Sequence, residues 1–167
     1  MRAEGPRGRA AGRKGRIAMR EDVIAKLTAK DDASACALAE QIATESRESD
    51  RWYAHFDDFA ALLNHPKSYV RNRAMHILAA NARWDAEGRF DAVLPDFLAH
   101  IADEKPITAR QCIRALVQLG RAKPRYAPQI RAALRCADLS KYADSMRPLI
   151  ERDIAEAEAL LSDCDRT

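Results

Sequence analysis

Three stretches of this chain carry arginines close together: Arg71 and Arg73, Arg110 and Arg114, Arg147 and Arg152. A guanidinium group is permanently charged and presents a planar fork of donors, so it binds carboxylates, phosphates or carbonyl oxygens. Two uses are open for this set. The arginines line a binding face for an anion or an acidic peptide, or they pair with acids at turns as an internal ladder. For Arg71 and Arg110 the ladder is favoured, with Asn64, Asp103 or a neighbouring aspartate as partner. Arg73, Arg114 and Arg147 are read as freer, and together with His76 they are the better candidates for a binding groove.

The other reactive residue types point to no reaction. His55, His65, His76 and His100 are each ten or more residues apart, so none has a partner at helical spacing for a metal. Cys36, Cys112, Cys136 and Cys164 form no CxxC pair. Cys36 and Cys112 are read as small core or near-core residues, and nothing supports redox sensing at Cys136 or Cys164. A phosphate-cradling glycine loop, an HExxH and a Ser/His/Asp arrangement are all missing from the sequence. The expectation is a protein without catalytic residues, metal or cofactor.

The elements that would position the arginines repeat. The run Phe59 to Ile77 reappears as Leu98 to Leu116, and a shift of 39 residues places Leu62 on Ile101, Asn64 on Asp103, Arg71 on Arg110 and Ile77 on Leu116. A shift of 35 places Leu27 on Leu62, Ala39 on Ala74 and Ile42 on Ile77. Periods of this length predict a helical solenoid, whose repeats bury their apolar faces by stacking on neighbours. The pattern predicts four helix pairs: 20–30 with 32–46, 52–64 with 68–82, 90–102 with 108–121, and 126–136 with 142–161.

Local signals refine those boundaries. Asp32 and Ser68 are placed to cap, and Pro66 stops the helix before it. Thr108 and Gln111 read as a capping box, Gly120 as a helix end and Pro148 as a kink or break. Trp52 and Trp84, near pair boundaries, are read as packing anchors. The apolar residues Leu149, Ile150, Ile154, Leu160 and Leu161 leave room for a homodimer contact; monomer and homodimer both stay open.

Val93-Leu-Pro95-Asp-Phe-Leu-Ala-His-Ile-Ala-Asp103, followed by Thr108-Ala-Arg110, resembles a HEAT repeat: a first helix with an internal proline, an aspartate at the turn, and a second helix opening on Val-Arg. Val70-Arg71 matches that opening, although 52–64 lacks the proline. The resemblance covers about residues 20–160 and is strongest in the third pair. Small bacterial proteins of this type exist, some named after the SUF iron–sulfur scaffold subunits (SufBD-like), whose strand-rich fold this chain does not suggest. The resemblance implies an all-α, right-handed α-solenoid whose second helices line a concave binding face.

Charge narrows the partner. The net charge is +3, but residues 1–18 hold six basic residues against Glu4, so the remaining 149 residues carry a net −2. A mildly acidic body disfavours nucleic acid, although HEAT-like DNA glycosylases wrap duplex DNA on a comparable face. Residues 1–18 are expected to be a disordered basic leader, and three readings are open: an anion-binding arm, a leader without a role, or sequence upstream of a true start at Met19. The domain itself is expected over 19–165. No run approaches the roughly 18–20 apolar residues of a membrane span, and no secretory signal precedes the domain. The chain therefore reads as a cytoplasmic, non-enzymatic scaffold that binds a protein or peptide in its concave face. Nucleic-acid binding or base repair is one alternative, and a structural subunit of a larger assembly is the other.

Overall fold

A computed structural model describes residues 19–30 and 32–163; the leader 1–18 and Cys164 lie outside the described residues. Among the described residues every regular element is a helix, and there is no strand. Eight α-helices follow one another. Helix α1 spans 19–28, α2 Asp32–Glu48, α3 Phe56–Ala61, α4 Ser68–Asn81, α5 Phe90–Ala99, α6 Pro106–Ala122, α7 Ala127–Arg135 and α8 Arg147–Ser162. Short 3-10 turns precede α3 and α7 and follow α3, α4 and α5.

The even-numbered helices pack in a row: α2 against α4, α4 against α6, and α6 against α8. Helices α3 and α7 lie against α4 and α8, and the 3-10 turn after α5 lies against α6. Apolar spacing explains the order. Helix α4 sits mid-row and is buried nearly all round through Val70, Ala74, Met75, Ile77 and Leu78, as expected of a helix packed on several sides. Helix α6 instead buries one stripe, with Cys112, Ile113, Leu116 and Leu119 inside and Gln111 and Arg114 outside. Met19, Ile107 and Leu160 are the large apolar residues left exposed.

An aromatic file that the sequence reading missed ties the odd-numbered helices together. Phe56 at the start of α3 meets Phe90 at the start of α5 edge-on, with centroids 4.9 Å apart and planes at 77°. Phe90 in turn meets Tyr126, just before α7, at 6.2 Å. The spacings of 34 and 36 residues match the repeat, so the signal was present in the sequence. Each contact adds about 0.5–1.5 kcal/mol to the burial of its rings.

Several expected boundaries are corrected. Helix α6 opens at Pro106, so Thr108 lies inside it, buried, and the Thr108–Gln111 capping box does not form. Proline suits a first turn, where its missing N–H is needed by no carbonyl. Pro148 holds the same place in α8, which begins at Arg147 rather than 142 and is not broken there. Gly120 does not end α6, which continues to Ala122. A Cβ at Gly120 would lie 2.5 Å from Leu161 Cδ2, so the glycine serves the close approach of α8. No side chain caps α4 at Ser68. Cys36 is exposed, and among the described cysteines only Cys112 is buried. Of the apolar residues in α8, Ile150 and Leu161 are buried, Leu149 and Ile154 half-buried, and Leu160 exposed.

Two substitutions test this packing. Phe90→Ala should lower unfolding stability by about 3–5 kcal/mol by emptying the middle of the aromatic file. Gly120→Val should cost about 1–3 kcal/mol by overpacking against Leu161. Denaturant midpoints of each variant against the parent measure both.

Candidate functional site

Arg71, on the first turn of α4, bonds Asp103 through two nitrogens: Nε to Oδ2 at 2.9 Å and Nη2 to Oδ1 at 2.7 Å. Its Nη1 donates to the carbonyls of His65 and Pro66 at 2.9 and 3.1 Å. Asp103 also receives the Lys105 amide at 2.9 Å and sits 2.8 Å from His100 Nδ1. Burial pushes its carboxyl up, but the bonds from Arg71, the Lys105 amide and His100 outweigh it and leave the carboxyl below its ordinary 3.8. One repeat on, Arg110 of α6 makes the matching fork to Asp153 of α8, through Nε to Oδ2 and Nη2 to Oδ1. Both residues belong to the ladder.

Arg73 overturns the expectation of a free cation. It is 3% exposed, and its Nη1 donates to the carbonyls of Leu27 and Ala29 at 2.8 and 3.3 Å. Nη2 holds Asp32 Oδ1 at 2.7 Å, and the guanidinium lies 4.9 Å from the centre of the Tyr69 ring. The residue closes the C-terminal end of α1, where carbonyls lack helical partners and a cation suits the helix dipole. Arg147 is corrected as well. Its Nη2 reaches the Tyr142 carbonyl at 3.1 Å and Asp144 at 3.6 Å, so it clasps the loop before α8.

Two of the predicted residues do meet at a surface. His76 of α4 and Arg114 of α6 line one open groove of about 250 Å³, together with Asn72, Gln111, Ala115 and Gln118. Positions 111, 114, 115 and 118 recur at helical steps of three and four, which sets them on one face of α6. His76 Nε2 lies 2.7 Å from Glu40 Oε2 of α2. Arg114 is exposed and makes no hydrogen bond or ion pair among the described residues. It also borders a second cleft, between α6 and α8, with Ile113, Val117, Glu156 and Leu160.

Sequence reasoning missed the amides Asn72, Gln111 and Gln118. Amides carry no motif, and Gln111 had been assigned to a capping box. The tryptophans do serve as anchors between layers: Trp52 Nε1 donates to Glu45 at 2.7 Å, and Trp84 Nε1 to the Ser46 carbonyl at 2.6 Å. Among the described residues no group of three or more His, Cys, Asp or Glu could hold a metal ion, and no helix is long and apolar enough to cross a membrane. Comparison with models of protein families, with curated proteins and with solved structures finds no match.

The Arg71–Asp103 fork makes a testable demand. Asp103→Asn should cost about 3–5 kcal/mol at neutral pH, because it leaves Arg71 buried beside a neutral group. The folded-state carboxyl lies below its unfolded value, so the unfolded chain takes up the proton first as pH falls. This stability is full above about pH 4 and is lost as pH drops through the folded value. Denaturant midpoints taken from pH 7 down to pH 3 should therefore fall less in Asp103→Asn than in the parent.

Proposed function

We propose that the chain is a HEAT-like, right-handed α-solenoid of four helix pairs that works by binding, without catalysis, in the cytoplasm. The face carried by α2, α4, α6 and α8 is its recognition face, and the groove between α4 and α6 receives a segment of a protein or peptide partner. One observation carries this reading. Arg71, Arg73, Arg110 and Arg147 are each bonded within the protein, whereas Arg114 stands exposed over a groove with no acid bound to it. An exposed cation amid amides suits recognition, because neither group exchanges a proton near neutral pH and both make directional hydrogen bonds.

The even-helix row supports the solenoid reading, since stacking one repeated layer on the next makes a continuous surface. It also supports a preformed site, because rigid helices fix the groove residues and little ordering is left to be done on binding.

The test is affinity capture of the whole chain from cytoplasmic extract, with Arg114→Glu beside it and Arg121→Glu as an exposed control. A stoichiometric protein that resists high salt should be present with the parent and the control, and lost with Arg114→Glu. Retention by Arg114→Glu would refute the groove, and salt-released nucleic acid as sole partner would refute protein recognition.

A further inference from the structure

The charges around Arg114 are arranged in a way that selects a partner. Crossing the row, Glu40 of α2 lies against His76 of α4, Arg114 stands on α6, and Glu156 is exposed on α8. Among the described residues Arg114 thus stands as an unpaired cation on a row whose other helices carry acids that have basic neighbours of their own. Charges of both signs alternate here, with Arg47 beside Glu40 and Arg152 one turn from Glu156, so the surface offers no uniform field for a phosphate backbone. A segment with a single carboxylate at the centre matches well.

The two clefts that share Arg114 differ in chemistry. The one toward α4 is polar, with the side-chain amides of Asn72, Gln111 and Gln118. An amide both donates and accepts, as a peptide main chain does. The cleft toward α8 has an apolar floor of Ile113, Val117 and Ala157, with Leu160, 47% exposed, at its edge beside Glu156. Asp153, which also borders it, is already held by Arg110.

Resting on the groove reading above, we infer that the occupant is an extended peptide segment carrying an acidic residue and, two positions away, an apolar one. The acid meets Arg114, the apolar side chain enters the α6–α8 cleft, and the main chain continues over the amides toward α4. The spacing follows from geometry. Side chains two apart on an extended chain point the same way, about 7 Å from one another. Packed helices lie about 8–10 Å apart, so the cleft beside α6 is about 4–5 Å from its crest, within reach of a long apolar side chain two positions from the acid. A second acid at the apolar position would face Glu156 and be rejected.

A displayed library of random twelve-residue peptides, selected on the full chain, tests this without a known partner. Enriched sequences should share an acid and a large apolar residue two apart. In synthetic copies, acid-to-amide and apolar-to-Ala changes should each weaken binding about tenfold or more. Arg114→Glu should weaken the parent peptide similarly and recover affinity for a copy with Lys in place of the acid. Leu160→Glu should reduce affinity without altering the preference for the acid. Enriched peptides with no acid preference, or peptides indifferent to Arg114→Glu, would overturn the inference and leave the groove reading standing. Failure to enrich any peptide, while labelled duplex DNA binds, would overturn both.

Discussion

Arg71 makes four hydrogen bonds, and they tie the opening of α4 and the turn before it to the turn before α6. Two go to the Asp103 carboxylate of the next pair and two to carbonyls at the turn of its own pair. A buried guanidinium is tolerable only with this degree of satisfaction, because an unpaired one would carry the full cost of leaving water. The same constraint recurs wherever a helix ends against its neighbour. Carbonyls of a last turn lack helical partners, and a neighbouring layer removes the water that would otherwise serve them. Here side chains from the following layer serve instead: Arg73 on Leu27 and Ala29, Arg83 on Arg47, Trp84 on Ser46, and Tyr142 on Asp103. Stacking and helix capping are in this protein one requirement.

That requirement binds several of the arginines within the fold. Arg71, Arg73, Arg83 and Arg147, which stand by turns or helix ends, are each bonded there. Arg114 escapes because it stands one turn further along α6 than Arg110, on the side away from the turn and toward the groove. The carboxylates obey the same logic: Asp85 receives the Tyr53 hydroxyl and the amides of Arg89 and Phe90, opening α5 while tying it to the preceding pair. Burial and the Asp85 carboxylate push the Tyr53 phenol upward, so it stays a donor across the whole working range of pH.

How much of this was legible depends on whether a partner has a side chain. The offset that aligns Arg71 with Arg110 and Asn64 with Asp103 was enough to suggest a ladder, because both ends of each rung are charged residues at recurring positions. Arg73 and Arg147 defeated the same reasoning, since their principal partners are the carbonyls of Leu27, Ala29 and Tyr142, which every residue possesses. The helix-start and helix-end signals at Thr108, Gly120 and Pro148 were each read with the boundary misplaced. Tertiary packing sets the ends: α6 begins where Pro106 allows and continues past Gly120 because Leu161 fills the space that a side chain there would need. Of the groove, the sequence exposed His76 and Arg114 but none of the amides around them.

The fourth pair shows how the interlock adapts when the repeat loses its register. Arg71 finds its acid 32 residues on, in the turn before α6, whereas Arg110 must reach 43 residues on, to Asp153 inside α8. The longer loop between α7 and α8 accounts for the difference, because it leaves no aspartate where Asp103 would correspond. The loop still answers the capping requirement by other means. Tyr142 donates to the Asp103 carbonyl at 2.5 Å, Lys141 bonds the Ala102 carbonyl, and Arg147 closes the loop on itself. Burial and the nearby Asp103 charge push the Tyr142 phenol up to about 12, so its donor survives even in mild alkali. The ion pair thereby moves from the turn onto the helix surface, and Asp153 comes to border the cleft where Arg114 and Glu156 also stand. A loop insertion that costs the stack little thus changes the chemistry of its exposed face, with Arg110 neutralised inside the fold and Arg114 left exposed.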